Sequence, residues 1–359
     1  MNPRYQSVVI KVGTSVITKE TGLLNEGVMR SLTQQISALC DAGVRVILVS
    51  SGAMAAGRAT AKIHGKLTKV AERQLLAAVG QVHLIETYAR LFKAHGYMPA
   101  QVLATKEDFR DRQHYLNMRS CMETLVAQKI IPIVNENDVI SVDELMFTDN
   151  DELAGLIASM MDVDALILLT SVDGIYDGDP KNAESRVIET IDADDESIKQ
   201  FIRPDLSQFG RGGMLTKVAN ARKLAMLGIA THIANGKTKD VLQDILRGEK
   251  IGTTFPAQKQ ATSLKRWVAG SAGTEKGTVT VNECAVDILR ARDKAVSLLP
   301  VGIIKVEGAF EKGDVIRIQS EKGVQIGLGI ARYGAASAKK FMGKKNQKPL
   351  IHYDYLFLS

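Results

Sequence analysis

Short apolar runs alternate with amphipathic runs along the first two thirds of the chain. Four apolar runs are nearly continuous, as in strands buried on both faces of a sheet: VVIKV (residues 8–12), VRVILV (44–49), IIPIV (130–134) and ALILL (165–169). Between the first two runs, apolar residues recur every three or four positions from Val28 to Leu39, which predicts a helix that ends near Gly43. Strands that alternate with helices predict a mostly parallel α/β sheet covered on both faces.

The same alternation continues to about residue 258. It predicts further helices at residues 74–92, 116–128, 150–161 and 216–227, and further strands at 101–104 and 229–234. In a parallel sheet of this kind, ligands collect at the carboxyl ends of the strands. We therefore expect the functional site in the loops that follow the strands.

The pattern changes after residue 258, where small and polar residues replace the periodic runs. Short β-type runs then appear at residues 277–281, 301–306, 313–317 and 324–331, separated by turns that contain glycine. The chain is therefore predicted to have three parts: an α/β domain at residues 1–258, a linker at 259–276 and a small, mainly β domain at 277–359.

Composition narrows the class of protein. The 359 residues are 45% apolar and 24% charged, which excludes a mainly disordered chain, a collagen-like chain and a coiled coil. The formal net charge of +6 suits anionic small molecules or RNA. Cys40, Cys121 and Cys284 lie far apart, which argues against disulfides and thiolate zinc sites. No segment has the character of a signal peptide or a membrane span, so we expect a cytoplasmic protein.

Two loops of small residues follow neighbouring predicted strands. They are Gly13-Thr14-Ser15 and Ser50-Ser51-Gly52-Ala53. Such loops let backbone amides approach a phosphate or a carboxylate closely. Lys11 lies within the first strand, where burial requires an anionic partner unless the side chain reaches solvent at the strand end. The P-loop and GxGxxG sequences are both missing, which argues against those two kinds of nucleotide site.

Amide and carboxylate side chains gather at two further places. Asn135 and Asp138 follow the IIPIV strand, and Asp149, Asn150 and Asp151 open the next predicted helix. Asp and Asn are good helix caps, which accounts for one residue of the second cluster. Three such residues together, beside another polar cluster, favour a site for an ammonium group, a carboxylate or a magnesium-nucleotide complex.

A third glycine loop, RGGMLTK at residues 211–217, leads into a predicted helix. Lys217 would lie in the first turn, where a cation opposes the helix dipole, so it needs an anion or extends into water. The two preceding glycines favour an anion. His83, His95, His114 and His232 are scattered, and neither HExxH nor GxSxG occurs, so we interpret the histidines as surface or core residues.

Taken in order along the chain, these motifs resemble those of the amino acid kinase family. The resemblance rests on VVIKVGTSVIT (8–18), VSSGAMAAG (49–57), RQLLAAVGQ (73–81), PIVNEND (132–138), DNDELA (149–154), LLTSVDGIYDGDP (168–180) and GRGGMLTK (210–217). It implies a three-layer, mostly parallel sheet. It also implies ATP-dependent phosphorylation of the γ-carboxylate of L-glutamate, the first step of proline biosynthesis. Residues from 277 onwards resemble a PUA domain, a small β module found in RNA-modifying enzymes.

The resemblance implies a role for each matching residue. Lys11 and Lys217 would neutralise the phosphates, and Asp151 would lie between the two lysines and orient them. The implied glutamate-binding residues are Ser51, Gly52, Ala53, Asn135, Asp138, Asp149 and Asn150. The implied nucleotide-binding residues are Lys11, Gly13, Thr14, Ser15, Thr170, Ser171, Arg211, Gly212, Gly213, Met214, Leu215, Thr216 and Lys217. ATP and Mg²⁺ are the implied cofactors, and no residue is assigned to a metal.

The resemblance also implies partners. Proline, the end product of the pathway, is the expected inhibitor, and a homodimer or homotetramer built by the kinase domains is the expected assembly. Glutamyl phosphate reductase is the implied channelling partner.

Two other functions stay open from the sequence. One is a sibling kinase of the same fold that acts on acetylglutamate, aspartate, carbamate or a nucleoside monophosphate. The other is an RNA-binding protein whose kinase part is inactive. Residues 331–350 carry six cations and no acid, a run that can contact RNA phosphates but is more often a solvated face.

Overall fold

The structure is a computed structural model that divides into two compact units, Met1–Gln260 and Ala261–Ser359. It describes residues 3–141, 147, 149–180, 182, 184–195, 214–258, 268, 275–290 and 296–358. The greater part of the predicted linker, and Arg211, Gly212 and Gly213 of the third glycine loop, therefore lie outside the described residues. None of the helices in the described ranges is long and apolar enough to cross a membrane.

The first unit is built on a seven-stranded sheet. Its strands are β1 (Ser7–Val12), β2 (Arg45–Ser50), β3 (Met98–Ala104), β4 (Ile130–Glu136), β5 (Ala165–Thr170), β6 (Ala230–Asn235) and β7 (Thr253–Phe255). Their order across the sheet is β3-β4-β2-β1-β5-β6-β7, and every neighbouring pair is parallel except β6 and β7. This confirms the mostly parallel sheet predicted from the apolar runs.

Nine helices of the described residues accompany this sheet. They are α1 (Thr14–Ile17), α2 (Glu26–Asp41), α3 (Ala53–Thr60), α4 (Lys69–Lys93), α5 (Lys106–Arg110), α6 (Arg112–Ala127), α7 (Asn150–Met160), α8 (Met214–Met226) and α9 (Val241–Arg247). Side chains of Asn25, Thr68 and Asp149 cap α2, α4 and α7, because each accepts a hydrogen bond from a backbone amide in the first turn. The loop expected at residues 13–15 already enters a helix at Thr14.

The strand order fixes where the candidate residues lie. The carboxyl ends of β4, β2, β1 and β5 are adjacent along one edge of the sheet, because these four strands are parallel neighbours. Among the residues expected to bind glutamate, Asp138 follows β4 and Ser51 follows β2. Among those expected to bind the nucleotide, Gly13 follows β1 and Ser171 follows β5. The two predicted halves of the site are therefore arranged side by side, with Lys11 near their junction.

The second unit contains a five-stranded sheet. Its strands are β8 (Gly277–Val281), β9 (Ile303–Gly308), β10 (Val315–Ser320), β11 (Gln325–Ile330) and β12 (Leu356–Leu358), in the order β12-β11-β10-β8-β9. Two short helices, α10 (Glu283–Arg290) and α11 (Ala335–Phe341), complete the described part. Val279, Ile316, Ile318 and Phe310 are among its buried core residues.

Two predicted strand boundaries in this unit were wrong. The strand expected from residue 301 begins at Ile303, because Pro300–Gly302 forms a 3₁₀ turn. The strand expected from residue 313 begins at Val315, because Gly313 has a φ of 101° and belongs to the preceding turn. The helices α10 and α11 had no counterpart in the sequence prediction.

Candidate active site

Two lysines and one aspartate form a buried cluster at the edge of the sheet. Lys11 Nζ lies 2.6 Å from Asp151 Oδ1, and Lys217 Nζ lies 2.8 Å from Asp151 Oδ2. The side chains of Asp151, Lys11 and Lys217 are only 1%, 8% and 13% exposed. The sequence alternatives in which either lysine extends into solvent were therefore wrong.

Three separate elements bring this cluster together. Val8, Ile10 and Val12 of β1 belong to one hydrophobic core, so the alternation of a strand turns Lys11 to the opposite face of the sheet. Asp151 lies in the first turn of α7 and Lys217 in the first turn of α8. The cluster thus depends on the packing of two helix N-termini against the centre of the sheet.

Asp149 fixes the start of α7 and joins it to α8. Its Oδ1 accepts hydrogen bonds from the backbone amides of Asp151 and Glu152, each at 2.9 Å. Thr216 Oγ1 donates to Asp149 Oδ2 at 3.3 Å. Of the three polar residues that open this helix, Asp149 is therefore the cap, which leaves Asn150 and Asp151 for contacts with the rest of the site.

The electrostatics of the cluster favour an anionic ligand. Burial opposes ionisation of Asp151, but the nearby ammonium groups of Lys11 and Lys217 outweigh it and lower the pKa of this carboxyl. Burial, and then the charge of Asp151, raise the pKa of Asp149. The ammonium groups of Lys11 and Lys217 are the two cations of the cluster that can contact a phosphate.

Amide side chains line the side of the site that follows β2 and β4. Asn150 Nδ2 donates to Ser51 Oγ at 2.8 Å and to Asn135 Oδ1 at 2.9 Å. Both amide hydrogens of Asn150 are thus used, and within the described part of the chain Asn150 Oδ1 and the Ser51 hydroxyl proton have no partner. This pair presents one acceptor and one donor to a ligand.

The remaining candidates on this side follow β4 and β2. Asp138 is held by Arg73, whose Nε lies 3.4 Å from Asp138 Oδ1. Gly52 adopts a φ of 103° and precedes α3, which begins at Ala53. That left-handed conformation is unfavourable for residues with a side chain, so glycine is required where the chain turns from Ser51 into the helix.

The candidates on the nucleotide side follow β1 and β5. Gly13 N donates to Leu169 O at 3.2 Å, which holds the loop after β1 against the end of β5. Thr14, Ser15 and Ser171 are exposed, and Thr170 is half-buried. Met214, Leu215 and Thr216 form the first turn of α8 before Lys217.

Sequence reasoning missed two residues of α4 that contact the site, Arg73 and Gln81. Arg73 also donates from a terminal guanidinium nitrogen to Ser141 O at 2.5 Å, and Gln81 Oε1 accepts from Asn135 Nδ2 at 2.8 Å. Both residues are in the RQLLAAVGQ motif, so the resemblance of this motif to the family was the one sequence signal that could have pointed to them. Their partners lie 54 or more positions away, and only the packing of α4 reveals them.

Comparison with known proteins identifies the family. The model of the amino acid kinase family matches residues 6–235, which contain every candidate site residue. The chain belongs to the amino acid kinase family. A PUA domain model matches residues 277–353, the greater part of the second unit.

Three similar proteins match the chain almost from end to end. A glutamate 5-kinase of Chlorobaculum tepidum is 56% identical over 99% of this chain and 98% of its own length. A glutamate 5-kinase of Bacteroides thetaiotaomicron is 48% identical over the full length of both chains. A glutamate 5-kinase of a Thermoanaerobacter species is 39% identical over 97% of this chain and 94% of its own length.

The PUA unit of this amino acid kinase carries the basic run seen in the sequence. Every one of its six cations is exposed: Arg332, Lys339, Lys340, Lys344, Lys345 and Lys348. Two of them lie in the last turn of α11. Exposure is compatible both with a solvated face and with a polyanion contact, so the RNA interaction stays a prediction.

Proposed function

We propose that this amino acid kinase transfers the γ-phosphoryl group of ATP to the γ-carboxylate of L-glutamate and forms glutamyl 5-phosphate, the first step of proline biosynthesis. The cluster of Lys11, Asp151 and Lys217 carries the proposal, because it places two cations between the two halves of the site. The glutamate 5-kinases that match nearly the whole chain support the choice of acceptor.

The proposed chemistry requires charge neutralisation rather than proton transfer. A glutamate γ-carboxyl has a reference pKa near 4.3, so at neutral pH it is already a nucleophilic anion. One carboxylate oxygen forms a bond to the γ-phosphorus while the bond to the ADP oxygen breaks, and no proton moves. The obstacle is the approach of an anion to an anionic triphosphate, which the Lys11 and Lys217 ammonium groups reduce.

The amide side of the site suits the acceptor amino acid. Asn150 Oδ1 accepts hydrogen bonds and the Ser51 hydroxyl donates them, so the two match an ammonium and a carboxylate group respectively. Asp138 adds a carboxylate beside them, held in place by Arg73. In our proposal Asn135, Asp149, Gly52 and Ala53 shape this pocket.

The nucleotide would bind on the side of β1 and β5. The backbone amides after Gly13 and the residues Thr170 and Ser171 lie at adjacent strand ends there. The described residues contain no cluster of three or more His, Cys, Asp or Glu side chains that could hold a metal. In our proposal, Mg²⁺ binds together with the triphosphate.

Regulation and assembly remain part of the proposal. Proline competing with glutamate near Asp138 and Asn150 would give feedback inhibition, which millimolar proline in a turnover assay would reveal. A homodimer or homotetramer and a channelling contact with glutamyl phosphate reductase are likewise proposed. Light scattering of the pure protein, alone and mixed with the reductase, measures both.

A panel of acceptors tests the proposed function. ADP release is measured by a coupled assay with MgATP and L-glutamate, L-aspartate, N-acetyl-L-glutamate or UMP. We expect turnover with L-glutamate and none with the other acceptors. Turnover with a different acceptor would show that this acceptor, and not glutamate, is the substrate. No turnover from folded protein would overturn the kinase proposal and would favour the RNA-binding alternative, which a salt-dependent RNA titration then measures.

A further inference from the structure

The RQLLAAVGQ segment of α4 (residues 73–81) contacts three residues that are assigned to the proposed glutamate pocket. Arg73 contacts Asp138, Gln81 contacts Asn135, and Gly80 packs directly against the backbone of Ala53. The segment itself supplies none of the residues that face the substrate in the proposed site. Its contacts suggest that it determines how those residues are oriented.

The hydrogen bonds from Gln81 to Ser51 form a chain with a defined polarity. Asn135 Oδ1 accepts from the Glu136 backbone amide and from Asn150 Nδ2, both at 2.9 Å. Asn135 Nδ2 donates to Gln81 Oε1 at 2.8 Å. Asn150 Nδ2 uses its second hydrogen on Ser51 Oγ. In this arrangement the amide oxygen of Asn150, and not its NH₂ group, is left to face a ligand.

Two groups hold Asn135 in this orientation: the Glu136 backbone amide donates to Oδ1, and Gln81 Oε1 accepts from Nδ2. Asn135 is 3% exposed, so its NH₂ group cannot turn to water if that acceptor is removed. Within the described residues, Gln81 Oε1 is the hydrogen-bond partner of that NH₂ group. The Gln81 Nε2 atom is buried and has no hydrogen-bond partner there, so the oxygen is the end of the side chain that matters.

The orientation of Asn150 has a chemical consequence. An amide oxygen only accepts hydrogen bonds. Of the three charged groups of glutamate, the α-ammonium donates hydrogen bonds and the two carboxylates accept them. A pocket that presents Asn150 Oδ1 therefore selects an acceptor substrate that carries an ammonium group.

We propose that Gln81 is a positioning residue that, together with the Glu136 backbone amide, holds the amide of Asn135 and, through it, that of Asn150 in this orientation, so that the pocket recognises the α-ammonium group of the substrate. This inference rests on the proposed function, because it takes an amino acid as the acceptor. Gln81 does not touch the substrate and acts through the two asparagines.

Two substitutions at Gln81 distinguish the effect of its acceptor oxygen from the effect of its side-chain size. Gln81→Leu keeps the size of the side chain but removes the acceptor, and Gln81→Glu keeps an acceptor oxygen. We expect Gln81→Leu to raise the KM for L-glutamate about tenfold, as for one lost hydrogen bond with a buried partner left unpaired, and to leave the KM for ATP unchanged. Gln81→Glu restores the KM for glutamate to near the wild-type value.

A substrate analogue measures the recognition directly. Glutarate is glutamate without its ammonium group, so the wild type should prefer glutamate over glutarate in kcat/KM. In Gln81→Leu this preference shrinks by the same factor by which the KM for glutamate rises. Binding of both compounds by calorimetry gives the same comparison without turnover. Gln81→Ala, which suits a helix, takes the place of Gln81→Leu if the latter does not fold.

Gln113→Leu is the matched control. It removes an exposed contact of the same kind, from Gln113 Nε2 to Asn117 Oδ1 at 3.0 Å on α6, and should leave both KM values unchanged. An unchanged KM for glutamate in Gln81→Leu, an equal rise in the KM for ATP, or a Gln81→Glu variant as impaired as Gln81→Leu would each overturn the role of Gln81 alone. A wild-type protein without turnover on glutamate would overturn the proposed function and this inference together.

Discussion

The contact between α3 and α4 is so close that a single methyl group should disturb the proposed glutamate pocket. A Cβ atom added at Gly80 would lie 1.8 Å from Ala53 O and 2.3 Å from Gly57 N. These two atoms belong to the backbone of α3. Gly57 is the counterpart on the other helix, because a Cβ there would lie 1.9 Å from Leu76 O. We therefore single out Gly80→Ala as the most informative perturbation of the scaffold.

The structure gives the size of the expected effect. Backbone atoms cannot rotate away, so the two helices must separate by roughly 1.6 Å to restore an ordinary contact distance of about 3.4 Å. Overpacking of this kind costs about 1–3 kcal/mol. For a unit of this size, that corresponds to a fall in the unfolding temperature of roughly 2–12 °C. Because α3 begins directly after Ser51 and Gly52, its displacement also shifts the Ser51 hydroxyl, and a shift of about 1 Å can cost ~100-fold in turnover.

Thermal unfolding and glutamate-dependent ADP release measure both effects. Gly27→Ala is the matched control, because Gly27 is an exposed helical glycine whose added Cβ would approach Asn25 Oδ1 no closer than 3.4 Å. Alanine favours a helix over glycine by up to about 1 kcal/mol, so this variant should be as stable as the wild type or more so. A Gly80→Ala protein with the unfolding temperature and glutamate kinetics of the wild type would refute the reasoning.

Three further predictions follow from the site and the core. Lys11→Ala or Lys217→Ala should lower kcat by ~100-fold or more and change glutamate affinity little, since both cations act on the phosphates. Steady-state kinetics in which kcat and glutamate affinity fall by the same factor would contradict this role. Chelation of Mg²⁺ should abolish ATP turnover without lowering the unfolding temperature of the nucleotide-free protein, because in our proposal Mg²⁺ binds together with the triphosphate; a destabilised apoprotein would point to a structural metal. Burial lowers the pKa of His232 to about 4, so the unfolded chain binds more protons between pH 4 and 6.5 and stability is lost as pH falls through that range. That loss is about 3 kcal/mol of the free energy of unfolding. Urea unfolding of the wild type and of His232→Gln should show that the wild type is the more stable protein at pH 7 and that this difference in the free energy of unfolding disappears near pH 4.

The sequence predicted the centre of the first unit well because its strands are continuously apolar. The runs at residues 8–12, 44–49 and 165–169 became β1, β2 and β5 with boundaries shifted by one residue at most, since burial on both faces leaves little ambiguity. The helix α3 was missed, because AMAAGRAT has no clear apolar periodicity and contains a glycine. That segment is helical where it packs against α4, so tertiary contact overrides its weak local signal.

Some polar residues of the site were likewise predicted from the sequence, and others were missed. The clusters after the strands were visible because polar residues at strand ends stand out against apolar runs. The contacts of Arg73 and Gln81 were not visible, because a polar residue on a long helix is more often solvated. Gln81 reaches Asn135 of β4 only through the packing of α4 in the folded unit, and no local sequence pattern shows that packing.

Product identity tests the central claim most directly. The protein is incubated with MgATP, L-glutamate and hydroxylamine, which converts an acyl phosphate into a coloured hydroxamate, with aspartate and N-acetylglutamate as control acceptors. Our account predicts hydroxamate from L-glutamate alone, and far less of it from the Lys217→Ala variant. ADP release with glutamate but without hydroxamate, or equal hydroxamate from the variant, would contradict phosphoryl transfer to the carboxylate by the Lys11, Asp151 and Lys217 cluster.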